Sequence, residues 1–325
     1  MNSSISSTPR YVLGIDIGGT TTIVGLVDRD GHILRREEIA TKQYCDADSY
    51  VGDLSDCINR IICERGGLNL FRGIGVGAPN ANYFTGRIHE SANLSWLNDV
   101  PLARRISERT NLPVSLNNDA NAATIGEMIY GAAKGMRDFI LITLGTGVGS
   151  GIVSNGELVY GRDGLAGELG HVIVRPQGRP CGCGRRGCLE TYTSATAVVR
   201  TARELLEDPK FRGGSLLREV EPSELTSKRV YEAATGGDPL ALRVFEYTGE
   251  MLGEAFANFV AYSNPEAIIL FGGLTKAGEL LLAPTRKAMQ ENLLHVYGES
   301  TKLLLSLLPE NDAAVLGAAA MGWKA

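Results

Sequence analysis

The chain has 325 residues, 44% hydrophobic and 21% charged, with 32 Lys plus Arg against 37 Asp plus Glu and a formal net charge of −5. That length exceeds the usual single core and implies two domains; the apolar content excludes disorder, and the mild acidity argues against nucleic acid as a partner, since phosphate attraction needs a basic footprint. No run approaches the ~18 apolar residues of a membrane span, so no membrane association is expected, and Ser-rich residues 1–10 read as the flexible tail of a cytoplasmic protein.

The first elements form a meander. A strand over Tyr11–Ile17 meets a Gly18-Gly19-Thr20 turn, a second strand runs over Ile23–Val27, Asp30-Gly31 turns, and a third strand covers Ile33–Ile39. Gly73, Gly75 and Gly77 precede Pro79, and Asn118-Asp119 heads a helix whose apolar stripe is Ile125, Met128, Ile129 and Ala132. The meander then repeats. Phe139–Leu144 reads as a buried strand, Gly145 to Gly149 as a turn, Gly151–Val153 as a strand, Asn155-Gly156 as a hairpin turn and Leu158–Tyr160 as the return. Residues 207–238 are polar and read as loops between helices. A helix carrying Met251, Leu252, Ala255, Phe256, Phe259 and Val260 stops at Asn264-Pro265, a strand over Ala267–Phe271 runs into Gly272-Gly273, and Ala313–Trp323 is an Ala-rich helix.

The echo suggests two similar half-domains facing one another, although two unrelated hairpins would give the same pattern. Each turn combines Gly with Thr, as close approach to a polyphosphate requires. No G-x-x-x-x-G-K-[ST] is present, and the segment after Gly145 extends instead of entering a helix, so neither a Walker loop nor a Rossmann site fits. Glycine, at 40 residues, is in excess, and the clusters imply that it marks backbone near phosphate, metal and sugar.

Several side chains can do chemistry. Asp16 ends the first strand beside a glycine turn, where a carboxylate can hold Mg²⁺ against phosphate oxygens, although Asp is also a common turn residue. Asp119 is placed to accept a proton from an attacking hydroxyl that Asn118 orients, and the same pair would serve as an ordinary N-cap. Cys45, Cys57 and Cys63 stand apart, whereas Cys181, Cys183 and Cys188 cluster and, with His171, make a Cys₃His set suited to a closed, structural Zn²⁺. Glu168 and Glu190 flank that set. With Asn118, Asp119 and a metal-oriented His171 they suit a hydroxyl-rich substrate.

Over about residues 10–324 the chain resembles the ROK family of sugar kinases, in the actin-like/hexokinase ATPase superfamily, and most of all its bacterial glucokinases. Asp16-Ile-Gly18-Gly19-Thr20, with Thr21, resembles the family's first phosphate motif, and Leu144-Gly-Thr146-Gly147-Val-Gly149 the second. Leu270-Phe-Gly272-Gly273-Leu274 resembles the adenosine motif, and Asn118-Asp119-Ala-Asn121 the segment with the catalytic aspartate. Glu168-Leu-Gly-His171, Cys181, Cys183, Cys188 and Glu190 resemble the sugar and zinc signature.

The resemblance implies an α/β, two-domain actin-like (hexokinase/ribonuclease H-like) ATPase fold with duplicated ββ-hairpin-strand cores. Residues 11–117 plus 312–325 would form the small domain, and 118–311 the large one with the zinc loop. It implies an ATP-dependent hexose kinase of carbohydrate metabolism, acting first on glucose. Asp119 would be the general base toward the sugar 6-hydroxyl; Gly77, Asn80, Asn93, Asn118, Glu168, His171 and Glu190 would contact the sugar. Asp16, Gly18, Gly19, Thr20, Thr21, Thr146, Gly147, Gly272 and Gly273 would hold the nucleotide. ATP, Mg²⁺ and structural Zn²⁺ are the implied cofactors, and a homodimer the implied assembly. N-acetylmannosamine, N-acetylglucosamine or fructose as the sugar, and polyphosphate in place of ATP, are alternatives within the family. A sugar-sensing transcriptional regulator is another; the roughly ten residues before the first strand are too few for a helix-turn-helix. A zinc hydrolase is opposed by the closed Cys₃His set.

Overall fold

The computed structural model describes residues 8–325 except Arg212, Glu299 and Glu310, and except the side chains of Ala92 and Asn93. In chain order come β1 (Tyr11–Ile17), β2 (Thr22–Asp28), β3 (Ile33–Ile39), α1 (Ala47–Glu64), β4 (Phe71–Gly77), β5 (Ala81–Asn82) and β6 (Arg87–Ile88). Then follow α2 (Leu102–Thr110), β7 (Val114–Asn117), α3 (Asp119–Tyr130), β8 (Phe139–Leu144), β9 (Val148–Ser154), β10 (Glu157–Leu158) and α4 (Glu190–Thr193). The remainder is α5 (Ala195–Glu207), α6 (Ser227–Thr235), α7 (Pro239–Ser263), β11 (Ala267–Phe271), α8 (Glu279–Asn292), β12 (Lys302–Leu305) and α9 (Ala313–Gly322). The chain divides into two units, Met1–Gly135 with Leu158–Ala166 and Leu307–Ala325, and Met136–Glu157 with Gly167–Ser306.

In the first unit the sheet order is β3-β2-β1-β4-β7. The hairpin-linked β1, β2 and β3 are antiparallel, and β1, β4 and β7 are parallel. The stripe Tyr50, Val51, Leu54, Ile58 and Ile61 of α1 joins Leu13, Ile15, Ile74 and Val76 in one apolar core, the usual driving force for helix on sheet. Elsewhere on the sheet glycine is required for another reason. An added Cβ at Gly14, Gly25 or Gly75 would collide with Val315 or Ala318 of α9, so the Ala-rich helix lies directly on a glycine-paved surface. These glycines therefore serve packing, which corrects the expectation that the excess marks ligand contacts.

A second correction follows from the same helix. Gly126 of α3 meets Gly317 of α9 so closely that a Cβ would stand 2.9 Å from its Cα. This crossing of two small residues ties α3 to the first unit, whereas the resemblance places residues 118–311, α3 among them, in the large domain.

The second unit repeats the plan with sheet order β10-β9-β8-β11-β12; β8 and β9 are antiparallel, and β8, β11 and β12 parallel. Asn155 and Gly156 both take positive φ, 54° and 82°, as a two-residue hairpin turn demands. Here too glycine admits a helix pair: Gly249 and Gly253 of α7 lie against Pro284, Thr285 and Ala288 of α8.

Three expectations change. Val148 already belongs to β9, so the glycine turn is shorter than Gly145–Gly149, and the return strand is only Glu157–Leu158. Residues 207–238 include a helix, α6, capped by Thr226, whose Oγ1 accepts from Arg229 N. The helix before Asn264 begins at Pro239, because Asp238 caps it by accepting from Leu240 N and Ala241 N. Among the described residues no helix is long and apolar enough to cross a membrane.

Candidate active site

In the first unit the site grows from the carboxyl ends of parallel strands, where ligands collect in open α/β sheets. Register pairs Asp16 on β1 with Gly77 on β4, and Gly77 with Asn117 on β7. Three predicted or neighbouring site positions thus form one row, and the Gly18–Thr21 turn, closed by Gly18 N donating to Thr21 O at 3.0 Å, begins beside it. Ala78 N donates to Asn117 O at 3.0 Å, which carries the row past the strand ends. Asn80 follows at φ 54° and donates Nδ2 to Glu90 O at 3.3 Å. The Asn93 side chain lies outside the described residues.

Next to this row the chain turns into α3. Asn118 is the N-cap, its Oδ1 accepting from Asn121 N at 2.7 Å. Asp119 is the first helical residue; it is exposed, and its Oδ1 accepts from Ala120 N at 2.8 Å. Buried Asn117 holds the turn from behind, its Oδ1 accepting from Asn118 N and from Asn121 Nδ2, each at 3.0 Å. The cap reading and the chemical reading of Asn118-Asp119 are therefore compatible: capping fixes the backbone and leaves the Asp119 carboxylate facing solvent.

Burial, and then the nearby Asp119 charge, push the Asp16 carboxyl up to about 6, with Arg36 acting in the opposite direction. The linkage has a definite sign. The unfolded group ionises near 3.8 and the folded one near 6, so between these pH values the folded chain keeps a proton that the unfolded chain has lost. Stability therefore falls as pH rises through this window and stays lower above it. Asp16→Asn, which never ionises, is expected to raise metal-free unfolding stability at pH 7.5 by about 2–3 kcal/mol and to lose that advantage toward pH 4. Urea melts at the two pH values check this; equal gains at both would contradict it.

In the second unit the corresponding place is the carboxyl end of β8 and β11, which pair in parallel up to Thr143 and Phe271. A cavity of about 540 Å³ opens there, lined by Gly145 and Thr146 after β8, by Gly273 and Lys276 after β11, and by Ser227, Lys228, Tyr231 and Glu232 of α6. Gly272 takes φ 109°, and a Cβ on it would stand 2.6 Å from Leu144 O; only glycine allows the two turns to meet. The α6 residues are absent from the sequence reading, because their polarity reads as loop. Thr146 and Gly147 also border a second cavity of about 490 Å³, together with Cys181, Glu190 and Arg200.

Glu190 connects that turn with the cysteines. Its Oε2 accepts from Val148 N at 3.0 Å, and its Oε1 lies 3.6 Å from Cys181 Sγ. Glu168 is exposed ahead of the short helix Leu169–His171. Ser150 on β9 anchors this segment by donating to Gly167 O and accepting from Leu169 N at 2.9 Å.

The ligand atoms of His171, Cys181, Cys183 and Cys188 lie within 4.8 Å of one another. Cys181 Sγ is 3.6 Å from His171 Nδ1, and Cys183 Sγ is 3.7 Å from Cys188 Sγ. A zinc tetrahedron has edges of about 3.6 Å between sulfur and nitrogen and about 3.8 Å between sulfurs, so the residues fit that ion. Burial and the neighbouring thiols push Cys188 up to about 12, which a bound cation would reverse. Arg179, 8% exposed, fastens the loop by donating to Thr191 O and Thr201 Oγ1 and lying over the Tyr192 ring. A lone Arg among glycines gave no sequence signal for that role.

A family model described as the ROK family matches residues 12–324. The glucokinase of Halalkalibacterium halodurans is 38% identical over 317 residues, 97% of this chain and 94% of its own. The xylose repressor of Caldicellulosiruptor bescii is 30% identical over 319 residues, 95% of this chain and 77% of its own. Among solved structures, a ROK family glucokinase from Streptomyces griseus in complex with glucose and AMPPNP is 34% identical with a TM-score of 0.75, covering 97% of this chain and 100% of that one. The fold is the actin-like ATPase fold of ROK sugar kinases. With the motifs, the strand-end sites and a match spanning nearly its whole length, the chain belongs to the ROK family.

Proposed function

We propose that the protein is an ATP-dependent glucokinase, transferring the γ-phosphate of ATP to the 6-hydroxyl of glucose. The observation that carries this is the pair Asp16, at the carboxyl end of β1, and Asp119, at the start of α3, close enough that the Asp119 charge adds to burial in raising the Asp16 carboxyl. One carboxylate suits the metal–phosphate side of phosphoryl transfer and the other the proton. The glucokinase relatives supply the choice of sugar and nucleotide.

Asp119 takes the hydroxyl proton as the sugar oxygen bonds to the γ-phosphorus and the bond to the β–γ bridging oxygen breaks, releasing ADP. Asn118, whose Oδ1 is engaged in the cap, offers Nδ2 to a sugar hydroxyl, with Gly77 and Asn80 lining the same pocket. Glu168, His171 and Glu190 hold further hydroxyls. Gly18, Gly19, Thr20 and Thr21 in the first unit, and Thr146 and Gly147 in the second, present backbone donors and hydroxyls to phosphates; the cavity at Gly272 and Gly273 takes the nucleoside. Mg²⁺ at Asp16 supplies neutralising charge when bound. Zn²⁺ on His171, Cys181, Cys183 and Cys188 supplies a rigid frame for the loop. A cytoplasmic homodimer completes the reading.

ADP release measured across glucose, mannose, fructose, N-acetylglucosamine and N-acetylmannosamine, with ATP or polyphosphate, tests it. The expected result is the highest kcat/KM for glucose with ATP. Sugar binding by calorimetry without ADP release from any hexose would instead favour a sugar-sensing regulator, the reading that the xylose repressor's 30% identity supports.

A further inference from the structure

We infer that Tyr160 is a positioning residue for phosphoryl transfer, acting on the Asn118–Asp119 turn through Asn117. The inference rests on the kinase reading and adds a residue that the sequence motifs do not contain.

Asn117 is 1% exposed, so its amide must find partners inside the protein. Its oxygen accepts from Asn118 N and Asn121 Nδ2, gripping both ends of the turn that presents Asp119. Those two bonds exist only in one of the two amide orientations. The backbone donor Asn118 N fixes that orientation, and on the other side Nδ2 donates to Tyr160 Oη at 3.3 Å, which holds the amide in place from behind. A flipped amide would set its oxygen toward Tyr160 and its NH₂ toward two donors, Asn118 N and Asn121 Nδ2. Tyr160 in turn is held flat: its ring stacks on Tyr83 at 4.3 Å and 15°, with Phe84 tilted at 5.7 Å. All these residues lie in the first unit, Tyr160 on the segment Leu158–Ala166.

A general base works only within hydrogen-bond reach of the proton it takes, and small misplacements are expensive: about 1 Å can cost about a hundredfold. Tyr160 is remote in sequence from Asp119, yet its hydroxyl sits one side chain behind the Asp119 backbone. Loss of the hydroxyl relaxes the turn while leaving in place every group that the proposed function assigns to sugar or nucleotide.

Tyr160→Phe keeps the ring and its stack on Tyr83 and deletes only the hydroxyl. The expected result is a fall in kcat of about tenfold, with KM for glucose and for ATP within about twofold of wild type and an unchanged melting temperature. Tyr83→Ala, which removes the stacking partner and leaves the hydroxyl, is expected to lower kcat less. Wild-type kcat in Tyr160→Phe overturns the inference. So does a loss in which kcat, both KM values and melting temperature all worsen, or an equal loss in Tyr83→Ala, since either marks a role in packing alone. The unsubstituted chain is assayed alongside: if it releases no ADP with any hexose, the kinase reading falls and this inference with it, whereas an active wild type beside an equally active Tyr160→Phe removes only the inference.

Discussion

Asp119→Asn is expected to lower turnover about a thousandfold while leaving glucose affinity within a few-fold of wild type. The structure makes this substitution unusually clean. Asp119 uses one oxygen to accept from Ala120 N, and an Asn side chain retains an oxygen for that bond. The cap itself belongs to Asn118, so α3 starts at the same residue in the variant. What is lost is the basic lone pair, and general base catalysis contributes typically 10²–10⁴-fold. ADP release under saturating glucose and ATP, with calorimetry of glucose binding, checks both halves. Turnover near wild type would remove Asp119 from the chemistry, and a parallel collapse of sugar binding would make it a binding residue. The variant also reports on Asp16: without the Asp119 charge its carboxyl should titrate lower than about 6, because one of the two causes that raise it is gone.

Stripping zinc is expected to lower the melting temperature by on the order of 10 °C and to lower turnover with it. A structural zinc site contributes folding free energy directly, and a loss of a few kcal/mol in a unit of this size moves the midpoint by that much. The path to activity runs through Glu190, which lies against Cys181 with one oxygen and holds Val148 N with the other. Without the metal the thiols regain protons and the loop loosens, and Glu190 no longer fixes the end of the Gly145–Gly147 turn. Metal analysis should find one zinc per chain; chelation should cost activity at the pace of the structural change, and added zinc should restore both. Full activity in a zinc-free chain of unaltered melting temperature would refute the assignment. Immediate inactivation at constant stability would point instead to a metal taking part in the reaction.

Much of this was readable from residues alone, for identifiable reasons. The strands Tyr11–Ile17 and Ala267–Phe271 are short apolar runs ended by glycine turns, and they occur where expected. Asn155-Gly156 turns a hairpin because both residues accept positive φ. The Cys₃His cluster assembles because Gly184 and Gly187, at φ 84° and 81°, let the eight residues Cys181–Cys188 fold back on themselves. Failures have equally local causes. Helix α6 buries only Val230, Ala233 and Ala234, too few apolar positions to stand out, yet it supplies one wall of the cavity at the ends of β8 and β11. Pro239 sits at the first turn of α7, where proline is at home, so the helix starts twelve residues before the Met251 stripe that marks it in the sequence. Gly14, Gly25 and Gly75 look like turn residues by type, although their role is set by α9, some 240 to 300 positions further along. No local pattern reports a partner that distant.

The seating of α9 on the first sheet has a consequence for how the protein is made. The first unit's opening segment, through Gly135, is separated from Leu307 by about 170 residues, nearly all of them belonging to the second unit. At typical synthesis rates that interval is on the order of 10–30 s. Throughout it, the strip of glycines on β1, β2 and β4 lacks its covering helix, and by its end, with β12, the second unit has every strand of its sheet. The order of completion is therefore the reverse of the order of synthesis: the unit begun first is finished last, and until α9 arrives a nascent chain carries an open apolar sheet face that a chaperone can hold.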